Sequence, residues 1–220
     1  MSSAESDLFA AIKAGESDRV KAMVSADPAL VDARTDTGDS AILTAVYHRR
    51  KEIVDLLVAR GAMLTLFEAC AAGEVDRVER LLASNPVVNV FSHDGWTPLH
   101  LAAFFGHARI AELLLAHGAE ARVLSRNANG NTPLHAALAG NHQMVAGLLI
   151  GSGAEVNAAD AEGWRPIHLA AASGNLDGLK ALVAQGADVH ITNKAGATPI
   201  QLAQKSNHRE AAELLMRHSR

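Results

Sequence analysis

One four-residue motif recurs along this chain at near-constant spacing. Thr97-Pro98-Leu99-His100, Thr132-Pro133-Leu134-His135, Arg165-Pro166-Ile167-His168 and Thr198-Pro199-Ile200-Gln201 begin at intervals of 35, 33 and 33 residues. Degenerate copies start at Ser6, Ser40 and Leu64, separated by 34 and 24 residues, with 33 more to Thr97. A period in this range is the mark of a stacked repeat architecture, in which neighbouring units bury one another's apolar faces. The intervals divide the chain into seven units, 6–39, 40–63, 64–96, 97–131, 132–164, 165–197 and 198–220, expected to form one domain over residues 1–220.

Equivalent positions agree in chemistry. The third residue of each unit is Leu or Ile (Leu8, Ile42, Leu66, Leu99, Leu134, Ile167, Ile200), and the sixth is always alanine (Ala11, Ala45, Ala69, Ala102, Ala137, Ala170, Ala203). A helix position that accepts only a methyl group lies very close to its neighbours, as stacking requires. Leu-rich pairs such as Leu56-Leu57, Leu81-Leu82, Leu113-Leu114 and Leu148-Leu149 mark the buried stripe of a second helix. Thr as N-cap followed by Pro opens the first helix, because the N–H that proline lacks would have no partner there. Ten residues into each unit stand Gly15, Arg49, Gly73, Gly106, Asn141, Gly174 and Asn207, mostly types that tolerate the left-handed backbone at a helix end. Asp94-Gly95, Asn129-Gly130 and Glu162-Gly163 suit tight turns. Each unit therefore reads helix, turn, helix, hairpin.

Thr-Pro-Leu-His opening a helix pair of about 33 residues, with Gly-Ala before a turn, closely resembles the ankyrin repeat over nearly the whole chain. The resemblance implies an all-α repeat solenoid of stacked helix-turn-helix units with short β-hairpin fingers. It also implies a concave face of hairpins and first helices that binds another protein. The first and third units lack the motif's Pro and His, and the 24-residue interval implies that one finger is missing before Leu64.

Composition narrows the function further. Leu, Ile, Val and Phe make up a quarter of the chain, enough for a core, while 43 alanines against 8 aromatics make that core thin and close-packed. A net charge of −4 argues against a phosphate-tracking surface, so nucleic acid is not expected as a partner. One cysteine, Cys70, an acidic start and the absence of any apolar run near 18 residues point to a cytoplasmic protein without a membrane span, and a monomer is expected. The alanine-rich, short-loop composition suggests a bacterial source.

No catalytic constellation is recognisable. His100, His135 and His168 occupy one equivalent place in successive units, and stacked helices about 8–10 Å apart keep them from sharing a zinc. Each ring is expected to bond its cap threonine or a neighbouring hairpin. His107, His142 and His208 recur at the start of the second helix as parts of the repeat. Asp32 to Leu43 fails as a calcium loop, since Leu43 stands where a bidentate glutamate is needed. Cys70 reads as a buried, inert thiol. We therefore expect no metal and no cofactor.

The candidate protein-binding residues are Tyr47, His48, His93, Asp94, Trp96, Phe104, Phe105, Asn131, Glu162 and Trp164, at hairpin tips or the ends of first helices. The aromatics among them would act as anchors and the polar residues as a rim. Phe104 and Phe105 have a second reading, as packing under a neighbouring hairpin. The basic run His48-Arg49-Arg50-Lys51 would offer an acidic partner a docking point. The favoured function is a non-enzymatic protein-binding module. The alternatives are a regulatory or inhibitory subunit of an enzyme, and a metal or small-ligand sensor.

Overall fold

Threonine and proline open the first helices as their chemistry requires. In the computed structural model, which describes residues 1–219, Thr97, Thr132 and Thr198 are N-caps and Pro98, Pro133 and Pro199 are the first helical residues. All seven positions expected to end a first helix have positive φ, from 56° at Arg49 to 82° at Gly15 and Gly73. The chain divides into two compact units, one from Met1 to Arg77 and one from Val78 onward.

The first unit holds α1 (Ser3–Ala14), α2 (Ser17–Ala26), a 3-10 turn (Pro28–Asp32), α3 (Ala41–Tyr47), α4 (Lys51–Ala59) and α5 (Leu66–Ala72). α6 (Val75–Leu82) begins in it and ends in the second unit. α1, α3 and α5 pack in series, and α2 packs on α4. Two starts differ from the sequence expectation. α1 begins a full turn before Ser6, because Ser2 and Glu5 form a reciprocal capping box. α5 is capped by Thr65 instead of Leu64, since only the threonine has an oxygen to offer. Residues 60–65 alone join α4 to α5, so the finger absent from the sequence is absent from the fold.

The second unit continues with α7 (Pro98–Phe105), α8 (Ala108–Ala116), α9 (Pro133–Ala139), α10 (Gln143–Gly151), α11 (Pro166–Ser173), α12 (Leu176–Ala184), α13 (Pro199–Lys205) and α14 (Arg209–Arg217). α7, α9, α11 and α13 pack in series, as do α8, α10, α12 and α14. All seven sixth-position alanines have no exposed surface. Of each leucine pair only the second member, Leu57, Leu82, Leu114 or Leu149, is fully buried. The fingers are tight turns; among the described residues the single β-bridge joins Arg34 and Ser40.

A residue at the start of the second helix reaches back over the preceding first helix. Arg50 donates to the Lys13 carbonyl at 2.6 Å, and the rings of His142 and His208 lie over Gly106 and Gly174. A Cβ at Gly106 would meet His142 Nδ1 at 2.3 Å, so this glycine serves a close approach as well as a left-handed turn. Along the opposite edge, Asn89, Arg122 and Asn157 hold one repeat position, and their side chains donate to the carbonyls of Gly118, Gly153 and Gly186.

Candidate functional site

The fingers of the second unit are closed by one pair of bonds, across four residues in three of them and across six between Ser125 and Asn131. Ser92, Ser125, Asp160 and Asn193 each donate a backbone N–H to the carbonyl of the residue before the next cap: Trp96, Asn131, Trp164 and Ala197. The return bond runs from that residue's N–H to the turn residue's side-chain oxygen, at 2.8–3.1 Å. Successive tips are joined by Arg126 N–H to Gly95 O, Ala161 N–H to Asn129 O and Lys194 N–H to Glu162 O. Gly95 permits the first of these, because a Cβ there would meet Asn127 N at 2.6 Å.

The histidines lock the fingers onto the helices. His100 Nδ1 accepts the Thr97 backbone N–H at 3.3 Å and lies 2.8 Å from its hydroxyl, while Nε2 lies 2.9 Å from the Asn131 carbonyl. His135 repeats this with Thr132 and the Trp164 carbonyl. A nitrogen facing an N–H must carry a lone pair, and one facing a carbonyl must carry the proton. Both rings are therefore held as the neutral Nε2–H tautomer. Burial pushes His100 down to about 4 and lowers His135 and His168 as well. His168 Nδ1 accepts from Arg165 N–H at 3.0 Å, but its Nε2 makes no hydrogen bond of good geometry. The last finger grips its ring less well than the two before it. Among the described residues, no group of three or more His, Cys, Asp or Glu side chains converges as a metal site.

Most of the expected binding residues fall in the second unit. Trp96, Phe104 and Phe105 form one half-buried cluster, with ring centroids 5.3 and 5.1 Å apart and near-perpendicular planes. Trp96 also touches the His100 ring at 5.7 Å, and Phe105 lies 6.5 Å from His107. His93 is exposed at the adjoining tip and Asp94 is half-buried there, beside Ser92 Oγ. Trp164 is half-buried against His168 at 6.0 Å, and Glu162 is exposed at the same tip. Asn131 is engaged within its own turn, where its side chain accepts from Ser125 at 2.8 Å.

Tyr47 and His48 belong to the first unit and are both exposed. They line a depression of about 430 Å³ with Lys13, Thr35, Asp36, Asp39 and Thr44. The neighbouring basic run is partly spent on structure, since Arg50 holds the Lys13 carbonyl and Lys51 sits 3.0 Å from Asp55.

Two arrangements were not anticipated. Arg126 lies over the Phe91 ring at 3.9 Å, a cation–π contact between residues one repeat interval apart. Glu68 is the third residue of α5 and closes a capping box with Thr65, the role that His100 and His135 play in α7 and α9, although it falls one place later in its unit than they do in theirs. It is buried, accepts Thr65 N–H at 2.7 Å and Thr65 Oγ1–H at 2.6 Å, and meets Arg34 of the first finger at 2.8 Å. Burial raises its carboxyl, but the Thr65 bonds, the Ser40 hydroxyl and Arg34 together outweigh that and hold it below the usual range. Their 34-residue separation, again one interval, was the available signal. Glu68→Ala is expected to cost about 2–3 kcal/mol in urea denaturation, because a cap and a charge-assisted bond are lost together. Glu68→Gln, whose amide oxygen keeps the Thr65 bonds, should lose about half as much.

A family model described as ankyrin repeats in three copies matches residues 66–160 and again 148–220. The chain is 41% identical over 79 residues to the human SMC5-SMC6 complex localization factor protein 1, covering 35% of this chain and 8% of that one. It is 31% identical over 129 residues to the probable E3 ubiquitin-protein ligase XBOS31 of Oryza sativa subsp. japonica, covering 54% and 29%. It is 41% identical over 63 residues to ankyrin repeat domain-containing protein 13C-A of Xenopus laevis, covering 29% and 12%. The match thus spans less than a third of each relative's length. All three are eukaryotic, which gives no support to the bacterial source suggested by composition. No helix among the described residues is long and apolar enough to cross a membrane.

Proposed function

Because the chain belongs to the ankyrin repeat family, we propose that it is a non-enzymatic, cytoplasmic module that binds a protein partner through its fingers and the ends of its first helices. The observation that carries this reading is the Trp96–Phe104–Phe105 cluster. The fold uses the backbone of the residue before each cap and leaves its side chain unspecified, so that Trp96, Asn131, Trp164 and Ala197 share one frame. At the helix end, Phe104 and Phe105 hold places where α9 and α11 carry Ala139-Gly140 and Ala172-Ser173. Large, half-exposed aromatics at helix-end places where the next two first helices carry only small residues fit binding anchors, with His93, Asp94, Asn131 and Glu162 as a polar rim. Tyr47 and His48 would serve the same role in the first unit. A buried Cys70, whose thiol burial pushes up, fits a reducing compartment.

Cross-linked capture of partners from the native cell, with identification by mass spectrometry, tests the reading. Trp96→Ala or Phe105→Ala is expected to weaken capture about 30-fold or more while leaving the melting curve nearly unchanged. A sharp fall in melting temperature with capture intact would make these rings core and move the interface elsewhere.

Names among the relatives support a second reading, in which the repeats serve an enzyme as its recognition or regulatory part. One is a probable ubiquitin ligase, and the mouse 2-5A-dependent ribonuclease is 39% identical over 64 residues. Co-purification of a single enzyme whose rate changes when this chain is added would favour it.

A further inference from the structure

The ten asparagines of the chain differ in what holds them. The side chains of Asn89, Asn127, Asn131, Asn157, Asn175 and Asn193 are fixed by hydrogen bonds within a turn, at a helix start or to a neighbouring repeat. Asn85, Asn141 and Asn207 take the left-handed backbone, and each precedes a residue whose nitrogen is closed. Pro86 has no N–H, and the N–H groups of His142 and His208 donate to the Ala137 and Ala203 carbonyls at 2.8 and 2.9 Å. Asn129 is the exception. Its N–H donates to Asn127 Oδ1 at 3.0 Å and its carbonyl accepts from Ala161 N–H at 2.8 Å, but its side chain, exposed at the fingertip, makes no hydrogen bond among the described residues. The residue after it is glycine. Gly130 N–H makes one long bond, 3.3 Å to the Asn127 carbonyl. A Cβ at Gly130 would come no closer to a neighbour than 4.0 Å from Ala161 N, whereas at Gly95 and Gly163 of the flanking tips backbone nitrogens stand at 2.6 and 3.1 Å. No neighbouring finger crowds this glycine.

We propose that Asn129-Gly130 is a self-modification site, at which the chain deamidates and alters its own finger. The backbone nitrogen of Gly130 loses its proton to solvent base and attacks Asn129 Cγ, forming the new N–Cγ bond of a succinimide ring. The side-chain amide nitrogen takes a proton from water and leaves as ammonia. Glycine favours this step, because no Cβ shields its nitrogen. Water then adds to one ring carbonyl and breaks that carbon's bond to nitrogen. Opening at Cγ gives aspartate. Opening at the main-chain carbonyl gives isoaspartate, in which the backbone runs through Cβ and Cγ. The isoaspartyl chain is one methylene longer inside the loop that Ser125 and Asn131 close with bonds of 2.8 and 3.0 Å. That loop presents the Asn131 carbonyl to His100 Nε2 at 2.9 Å, so the lock on α7 loosens. The Asn129 carbonyl that holds Ala161 becomes a free carboxylate, next to a tip that already carries Asp160 and Glu162, and like charges repel there. Aspartate adds the charge without the extra length.

Prolonged incubation of the full chain in mildly alkaline, heavy-oxygen water tests this, because the oxygen that opens the ring stays in the product. Chymotryptic cleavage in ordinary water after Leu124 and Leu134 then frees residues 125–134 for mass spectrometry, and the label marks only molecules that reacted before digestion. Labelled aspartate and isoaspartate are expected at residue 129, with no label at the other asparagines. Gly130→Ala, at a left-handed position of the kind that Arg49 fills with a full side chain, should lose the label. The isoaspartyl chain, separated by chromatography, should melt below the untreated protein and exchange its Ala161 amide faster. Asn129→Asp should melt nearer to wild type. Label spread evenly over the asparagines, none at residue 129, or a Gly130→Ala chain labelled as fast as wild type overturns the proposal. So does an isoaspartyl chain that melts and exchanges like the untreated one.

Discussion

Lowering the pH from 7 to 4 is expected to destabilise the second unit by several kcal/mol, beginning well above the carboxylate range. His100, His135 and His168 are all held below their ordinary values in the folded chain, first by burial. The unfolded chain therefore binds protons first, and stability falls as pH drops through the interval between the unfolded value near 6.5 and the folded one. For His100, with a folded value of about 4, the loss is about 2 kcal/mol by pH 5 and about 3 kcal/mol by pH 4. Protonation would also set an N–H on Nδ1 against the Thr97 N–H, undoing the cap as well as the ring's neutrality. The seventh unit supplies its own control. Gln201 stands in the histidine's place and accepts the Thr198 N–H at 2.9 Å without titrating. His100→Gln should therefore flatten the profile between pH 6.5 and 5 by close to one proton, although it costs some stability at pH 7 through the lost reach to Asn131. Urea denaturation at successive pH values measures this. A profile flat across that window, or one unchanged in His100→Gln, would show that the rings do not titrate on unfolding. Glu68 adds a separate loss at lower pH in the first unit, since its depressed carboxyl stabilises the fold above the carboxylate range and ceases to as it is protonated.

Ala137→Leu should cost 3 kcal/mol or more, about the upper end of what overpacking does to a core. Ala137 has no exposed surface on α9, which packs between α7 and α11, so three added carbons must push two helices apart. Ala139, two residues on in the same helix, is exposed, and Ala139→Leu should leave stability within about 0.5 kcal/mol of wild type. Thermal melts of the pair distinguish a packing constraint from helix propensity, which the two substitutions change equally. Equal behaviour would mean that the recurring alanine reflects composition and not the distance between helices.

The alanine at the sixth position, the Thr-Pro start and the left-handed residue at the end of each first helix were legible before any coordinates, because repetition lets one chain supply its own comparison. A position that holds the same chemistry in seven units is fixed by packing that recurs among the first helices of each compact unit. The same reasoning correctly gave the histidines a packing role and located the missing finger. It placed two helix starts wrongly, at Ser6 and Leu64, where periodicity was weighed above the capping oxygens of Ser2 and Thr65. Glu68 was missed for a related reason. The third unit lacks the motif's histidine, Glu68 falls one place past where it would stand, and only the fold brings Arg34 and Ser40 to it. Residues that depart from the repeat are the ones whose partners periodicity cannot supply. The Trp96–Phe104–Phe105 cluster is of this kind. Recurring local chemistry sets the helices and their spacing, but what a singular side chain touches depends on elements that only packing brings near it.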